Sequence, residues 1–253
     1  MSFSKHFQFF IKELNKNKSN ISKVFFTIFI SLLILSSVTI LKNSIEDEIK
    51  NNSRVLLGGD LELSTKNEAL NLRFLNKLKE SFFISEIVEF TSIIKTKNEE
   101  NQTTRIKVID NFYPLVGKVV VEPANSLEIL KTMPNTILID ETTQKNLDLK
   151  LGEKIKIQNT TFEVIGITKR LPDLGGFFIF GDQALIHKSS LEDLKINNLG
   201  TFLRFKYKLT KKDNKKKLPG FISNYKNLEI KYPEDISQNV KKAIENFIYF
   251  LSI

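Results

Sequence analysis

The chain has 253 residues, 41% of them hydrophobic and 26% charged, which suits a globular domain with one membrane segment and argues against intrinsic disorder. Its formal charge is +9, but no basic stretch alternates with aromatic residues at a spacing suited to stacked bases, so nucleic acid is not an expected partner. The sequence has no cysteine, which excludes disulfides, thiolate metal sites and cysteine nucleophiles.

The amino-terminal residues form the first predicted element. One helical face collects the apolar residues of this segment, which are Phe3, Phe7, Phe10 and Leu14. The lysines fall elsewhere, as in helices that lie in a membrane interface. A basic tail without fixed structure is the alternative. We assign residues 1–20 to a cytoplasmic, basic amphipathic helix, with membrane lipid as its expected partner.

The next segment, Val24 to Leu41, contains eighteen uncharged residues bounded by Lys23 and Lys42. At about 1.5 Å per residue it spans about 27 Å, close to the hydrocarbon thickness of a bilayer. A buried core helix rarely stays apolar on every face for five turns, and a cleaved signal peptide normally has a shorter apolar core followed by a small-residue cleavage site. We therefore predict a retained transmembrane helix over residues 21–42.

The distribution of lysine predicts the orientation of this helix. Five lysines stand before it, namely Lys5, Lys12, Lys16, Lys18 and Lys23. Only Lys42 and Lys50 follow it closely, and acidic residues lie between them. The positive-inside rule therefore places the amino terminus in the cytoplasm and the domain over residues 43–238 on the far side of the membrane.

That domain alternates predicted strands and short helices, the pattern of an α+β fold. The predicted strands are Arg54–Leu63, Ile87–Thr96, Thr103–Asp110, Val119–Val121, Thr136–Ile139, Lys154–Ile157, Thr161–Ile167, Phe177–Phe180 and Thr201–Leu209. The predicted helices are one capped by Asn67 with Leu72, Leu75 and Leu78 facing inward, one over Glu141–Leu149 and one near Ser190–Lys195. The clearest hairpin turns at Gln158-Asn159-Thr160, and a division into two lobes is expected near Pro134.

The sequence predicts no catalytic residue, cofactor-binding residue or metal ligand. His6 and His187 are far apart and fall on opposite sides of the membrane, and neither a phosphate loop nor a nucleophile elbow is present. The carboxylates Asp60, Asp110 and Asp173 lie beside turns, so each is predicted to cap backbone N–H groups.

Two further segments of the chain are a run of lysines and the carboxyl-terminal residues. Lys206 to Lys217 carries seven lysines in twelve residues; we predict a solvated hairpin tip, with contact to anionic lipid head groups as the alternative. Ala243 to Ile253 has no charge after Asn246. It is either a helix docked on the core or, as we favour, the start of a truncated second transmembrane helix over residues 239–253.

Four stretches, taken in order, resemble one family of membrane proteins. They are LLGGDLELS (Leu56 to Ser64), IKVIDNFYPLVGKVVVEP (Ile106 to Pro123), ILIDETTQKNLDLKLGEKIKI (Ile137 to Ile157) and TFEVIGITKRLPD (Thr161 to Asp173). Together they resemble the first third of the YbbP-like ABC-transporter permeases of the FtsX/MacB/LolC superfamily. One departure is visible: Gly181-Asp182-Gln183 stands where the family usually has Gly-Pro-Arg, so no role of that arginine is carried over.

The resemblance implies an α+β extracytoplasmic domain of the MacB-like periplasmic core type on an N-terminal transmembrane helix in a bacterial inner membrane. It also implies a cytoplasmic ABC ATPase subunit, a second permease copy or paralogue forming a dimer, and a periplasmic partner. The expected function is a permease subunit, as a fragment, that couples the ATPase to a domain acting on lipid, lipoprotein or envelope substrates. The alternatives are a single-pass envelope sensor or scaffold protein and a membrane-tethered enzyme.

Overall fold

The fold is described from a computed structural model. The structure describes residues 17–173, 182–194, 202–213, 219–222, 225, 227–236, 238, 242 and 246. Several predicted segments lie partly or wholly outside these residues: the amphipathic helix up to Leu14, the strand Phe177–Phe180, most of Ala243 to Ile253, and the lysines at 215–217. The chain divides into two compact units, Met1–Glu48 with Ile244–Ile253 and Ile49–Ala243.

The first helix, α1, spans Lys18–Leu57 and is 40 residues long. Its portion Lys18–Glu48 contains an 18-residue stretch with a mean hydropathy of 2.6, and α1 is the one helix among the described residues long and apolar enough to cross a membrane. The hydroxyls of Thr27, Ser31 and Thr39 donate to carbonyls one turn earlier, at 2.9 Å each. These bonds satisfy three hydroxyl groups inside the apolar segment.

The predicted strand Arg54–Leu63 is wrong in its first half, because α1 continues to Leu57. The Gly58 N–H donates to the Val55 carbonyl at 3.0 Å and the Gly59 N–H donates to the Arg54 carbonyl at 3.1 Å. This is a Schellman ending, which places its first glycine in the left-handed region, and Gly58 has φ +78°. The strand itself begins only at Leu61, after one turn.

Ten described strands form one sheet in the order β10-β1-β9-β2-β3-β8-β5-β7-β4, with β6 off this path. The strands are β1 Leu61–Lys66, β2 Phe82–Lys95, β3 Asn101–Ile109, β4 Val120–Glu122, β5 Thr136–Asp140, β6 Lys154–Ile157, β7 Thr160–Arg170, β8 Gln183–His187, β9 Arg204–Lys211 and β10 Glu229–Lys231. Because β6 pairs with both β2 and β7, strands β2, β3, β8, β5, β7 and β6 close into a ring. Strands β9, β1 and β10 extend from β2 as an open wing.

The apolar side chains form three cores. The first fills the ring and includes Phe90, Ile106 and Phe162. The second lies between the wing and helix α2, Leu72–Lys79, and the third lies beneath helix α3, Ser126–Thr132. The predicted two lobes near Pro134 are wrong, since β5 begins just after it and pairs with both β7 and β8 inside a single unit.

Two helix predictions need correction. Asn71, not Asn67, caps α2: its Oδ1 accepts the Phe74 N–H at 2.8 Å, and Phe74 takes the inward position predicted for Leu72. Asn67 has φ +61°, and its side chain accepts the Leu203 N–H at 3.0 Å. The helix near Ser190–Lys195 is instead a 3-10 turn over Lys188–Ser190, followed by turn residues.

The remaining predictions agree more closely. Helix α4, Glu141–Asn146, starts where predicted and ends earlier. The β2–β3 and β6–β7 hairpins are confirmed, although β2 is longer than predicted. The second hairpin turns at Gln158 and Asn159 alone, because Thr160 already pairs with Ile157.

Candidate functional site at the helix–sheet junction

Charged side chains from four strands project from one face of the sheet toward the end of α1. In the antiparallel register Glu62 of β1 faces Lys208 of β9, and Lys208 faces Ser85 of β2. Further along the same face Glu89 of β2 faces Lys107 of β3. Side chains directly opposite in such ladders share a face, so the register alone assembles a polar row there.

Asp173 lies at the centre of this row and reaches it from the segment that follows β7. The Lys107 Nζ lies 2.6 Å from both of its carboxylate oxygens, and the Tyr113 hydroxyl donates to Oδ1 at 2.6 Å. The Lys208 Nζ lies 3.9 Å from its Oδ2. The side chains of Asp173 and Lys107 are only 2% and 3% exposed, so water does not screen this pair.

Lys208 connects the row to α1. Its Nζ donates to the Leu57 carbonyl at 2.7 Å and also to the Glu62 carboxylate. The last carbonyls of a helix have no partner within the helix, and a cation there also interacts favourably with the helix dipole. Lys208 therefore binds the carboxyl end of α1 directly to strands β9 and β1. We call the group Leu57, Gly58, Glu62, Lys107, Tyr113, Asp173 and Lys208 the junction.

Two glycines allow the backbone to approach this closely. A Cβ on Gly58 would lie 2.9 Å from the Asp173 Cβ, and a Cβ on Gly117 would lie 2.5 Å from Pro172 and 2.9 Å from Val55. Both glycines also have positive φ, at +78° and +87°. The loop that carries Tyr113 is thereby held against both α1 and the segment that carries Asp173.

Ion pairs at the rim extend the junction along the wing. The Lys206 Nζ lies 2.7 Å from Glu89, and the Lys231 Nζ lies 3.8 Å from Glu62. These side chains are between 5% and 27% exposed, so the row passes gradually from the interior to solvent. Charges of opposite sign alternate along it, which keeps the buried part near neutrality.

The four buried charges stabilise one another. Burial alone would raise the pKa of Asp173, but attraction by Lys107 and Lys208 outweighs it and holds that pKa well below its ordinary value of 3.8. Burial would likewise raise the pKa of Glu62, and Lys208 lowers it instead. Glu62 and Asp173 raise the pKa of Lys208 against burial, whereas burial lowers the pKa of Lys107 despite Asp173. Burial and Asp173 together raise the pKa of Tyr113, which keeps its proton.

The junction is a structural connection between α1 and the sheet. Its side chains are buried and each is paired within the group, so none is presented to a substrate. Removing one partner of a buried ion pair typically costs about 3–5 kcal/mol, because the other charge is left uncompensated. The geometry therefore resists separation of α1 from the sheet.

The sequence predicted the roles of two of its three singled-out carboxylates. Asp60 accepts the Lys211 backbone N–H at 2.8 Å, and Asp110 accepts the Glu86 N–H at 2.7 Å, so both cap backbone groups. The prediction for Asp173 is wrong, because its partners are side chains. His187 caps the 3-10 turn with its ring, and the described residues include no cluster of His, Asp and Glu able to hold a metal.

The solvated tip predicted for Lys206 to Lys217 is wrong for its first part, whereas Lys212 and Asp213, after the end of β9, are exposed. Lys206 and Lys208 lie in β9, and Lys208 is 4% exposed. Sequence reasoning missed Lys107 and Glu62 for the same reason, since alternation in a strand normally places such residues in water. A signal was present, because three of the four stretches that carry the family resemblance contain junction residues.

Comparison with known proteins identifies the fold. A family model described as the MacB-like periplasmic core domain matches residues 22–245. The chain belongs to this family. The MacB-like assignment confirms the resemblance to FtsX/MacB/LolC-type ABC permeases and the mixed α and β fold. With the apolar helix α1, it describes a membrane-anchored protein with an extracytoplasmic domain. No curated protein matches the chain.

Three solved structures are similar to this MacB-like chain. The periplasmic region of MacB from Actinobacillus actinomycetemcomitans is 14% identical, with a TM-score of 0.50 over 77% of this chain and 98% of that one. The extracellular domain of the ABC-type transporter YknZ from Gram-positive bacteria is 12% identical, with a TM-score of 0.41 over 61% and 84%. A domain of a permease protein from Porphyromonas gingivalis is 10% identical, with a TM-score of 0.45 over 68% and 89%. At such identity the likeness to MacB concerns the fold alone.

Proposed function

We propose that this chain belongs to a permease subunit of an ABC transport system and transmits the cycle of a cytoplasmic ATPase to its extracytoplasmic domain. The junction is the observation that carries this proposal. One continuous helix contains the apolar segment and ends in a buried ionic cluster on the sheet. A flexible tether would need neither an unbroken helix nor a buried network of ion pairs.

The proposed mechanism is mechanical. The apolar segment and the residue bonded at the junction, Leu57, belong to the same helix, α1. At the junction, breaking the Lys208 and Asp173 contacts would leave buried charge unpaired. Motion of α1 is therefore passed to β1 and β9 instead of being lost at the connection. The chain itself catalyses no reaction in this scheme.

The proposal includes partners and orientation. A cytoplasmic ABC ATPase supplies the energy, a second permease copy or paralogue forms the dimer, and membrane lipid and a periplasmic partner complete the assembly. Substrates are lipids, lipoproteins or other envelope components. The amino terminus lies in the cytoplasm and the sheet domain in the periplasm, as the lysine distribution supports.

Orientation is tested by cysteine labelling, since the natural chain has no cysteine to give background. Ser19→Cys and Lys118→Cys each introduce one thiol at an exposed position, before and after the apolar segment. A membrane-impermeant maleimide added to spheroplasts should label Lys118→Cys and spare Ser19→Cys until the cells are lysed. Labelling of Ser19→Cys in intact spheroplasts would reject the proposed orientation.

The permease role is tested by affinity purification of the full-length gene product from its own host in mild detergent. A stoichiometric ABC ATPase should co-purify, and ATP hydrolysis should be measurable in the complex. Recovery without any ABC ATPase would favour the single-pass sensor or scaffold protein instead.

A further inference from the structure

At the opposite end of β2 from the junction, two lysines face each other across strands. Lys95 of β2 lies directly opposite Lys156 of β6 at the point where β6 closes the ring. Both side chains are exposed, and neither forms an ion pair with a carboxylate of the described residues. Like charges directly opposite in an antiparallel ladder are destabilising, since their Cβ atoms lie only about 4.5–5.5 Å apart.

A neighbouring pair on this face does place a carboxylate opposite a lysine. In the same hairpin Lys154 lies opposite Glu163, an ordinary pair of opposite charges. Lys156 instead has Thr161 on its other side, and Lys95 has Asn101. The row Thr161, Lys156, Lys95 and Asn101 thus carries two positive charges with no carboxylate. Uncompensated repulsion of this kind is expected at functional sites, where a binding partner supplies the missing opposite charge.

A cleft of about 410 Å³ lies beside Lys95 and is lined by Thr91, Ser92, Ile93, Lys95 and Gln158. Lys156 is not part of this lining but lies directly opposite Lys95 at its edge. The cleft follows β2 over five residues, or about 16 Å of extended chain. Its lining combines hydroxyls, an ammonium group and the half-exposed Ile93. A cleft of this length suits an extended segment better than a single small anion.

One unpaired amide oxygen lies at the same cleft. Gln158, which lines the cleft, directly follows Ile157 at the end of β6. Its buried Oε1 has no hydrogen-bond partner in the described part of the chain. A buried amide oxygen without a partner is costly, and a peptide backbone N–H supplies the donor that it lacks.

We infer that the Lys95–Lys156 cleft is a docking site for an extended acidic segment of another envelope protein. Its carboxylates would lie between the two ammonium groups, and its backbone would follow β2 along Thr91 to Ile93. The partner is placed in the envelope because the domain is extracytoplasmic. This inference goes beyond the permease role and concerns the other end of β2, so its failure would leave co-purification with an ATPase unaffected.

The test uses the full chain in phosphatidylcholine nanodiscs and a fluorescein-labelled hexaglutamate peptide, followed by fluorescence anisotropy. The peptide should bind at low salt, and its affinity should fall as the salt concentration rises. The double variant Lys95→Gln with Lys156→Gln should weaken binding by at least about tenfold, since both charges that face the carboxylates are lost. The matched control, Lys118→Gln with Lys145→Gln, removes the same charge from exposed positions elsewhere and should stay within about twofold.

Equal weakening in the two double variants would overturn the inference, because binding would then follow net charge alone. The inference would also be overturned if anionic phosphatidylglycerol vesicles bound through Lys95 and Lys156 and the peptide did not, since the ligand would then be a lipid surface.

The substitution Lys156→Glu gives an independent check. It should lose the peptide and also raise the midpoint of thermal unfolding, because it replaces a repulsive pair with an attractive one. Loss of peptide binding without a higher midpoint of thermal unfolding would contradict the proposed repulsion between the two lysines.

Discussion

At the scale of single residues, Asp173 balances two lysines. It is the carboxylate nearest to Lys107 and also lies close to Lys208, and all three side chains are at most 5% exposed. Glu62 provides the second buried carboxylate, bonded to Lys208. The group is close to neutral as a whole, but it becomes a buried positive charge if either acid is removed. Such arrangements stabilise little when intact and cost much when broken.

Replacing Asp173 by Asn should therefore destabilise the domain strongly. The variant keeps the shape and can still accept the Tyr113 hydroxyl, but it leaves Lys107 without a counterion. We expect a loss of about 3–5 kcal/mol in the free energy of unfolding, measured by denaturant titration in detergent. Asp148→Asn is the control, because Asp148 lies exposed in a turn at φ +43°, which Asn also tolerates. Similar losses in both variants would exclude a special role for Asp173.

Acid should destabilise the protein through the same group. The folded pKa values of Asp173 and Glu62 lie below their ordinary values of 3.8 and 4.5. Their contribution is therefore complete at neutral pH and is lost as pH falls below the ordinary values toward the folded ones, since the unfolded chain binds protons first. Unfolding free energies of the wild type should fall between pH 6 and pH 3 more steeply than those of Asp173→Asn. Parallel curves would show that Asp173 does not contribute to the acid sensitivity.

At the scale of elements, Gly58 ends α1 and also makes room for Asp173. Gly58→Ala should destabilise the protein because alanine is strained at φ +78° and its Cβ would lie 2.9 Å from the Asp173 Cβ. Gly152→Ala is a matched control, with φ +84° and no atom within 4 Å of the added Cβ. The excess loss at Gly58 should be about 1–3 kcal/mol, the usual cost of overpacking, in thermal or denaturant unfolding. Equal losses would mean that the backbone conformation alone matters there.

The apolar part of α1 yields a prediction about neighbouring helices. Small residues allow transmembrane helices to approach closely, and Ser31, Ser36 and Ser37 are the small members of this segment. Leu at all three should leave membrane insertion intact but impair the ATPase complex, as measured by carbonate extraction and by ATP hydrolysis after co-purification. Full activity with three leucines would return α1 to the role of a passive tether.

The elements also show what the sequence could and could not predict. The β2–β3 and β6–β7 hairpins follow from period-two alternation around polar turns, and the apolar start of α1 follows from its length. The extension of α1 to Leu57 was missed because Val55, Leu56 and Leu57 fit a strand as well as a helix. Lys107, Lys208 and Glu62 could not be recognised as buried, since their partners lie up to 151 residues away along the chain.

At the scale of the whole molecule, β2 links the two features of interest. It is 14 residues long, or about 45 Å, and runs from the junction at one end to the Lys95–Lys156 cleft at the other. It is shared by the open wing, through β9, and by the closed ring, through β3 and β6. Closure of the ring depends on two register pairs distant in sequence, so no local pattern predicts it. The family resemblance supplied the fold class, and the register supplied the geometry.

The most direct test of the coupling is a distance measurement in the reconstituted permease–ATPase complex. Thr103→Cys, on the exposed face of β3 in a chain without natural cysteine, carries a spin label, and double electron–electron resonance measures the distance between the two permease subunits. The distribution should shift between nucleotide-free and ATP-trapped complexes. The shift should disappear in Asp173→Asn, even though ATP is still hydrolysed. Identical distributions in both nucleotide states, or an unchanged shift in Asp173→Asn, would contradict transmission through the junction.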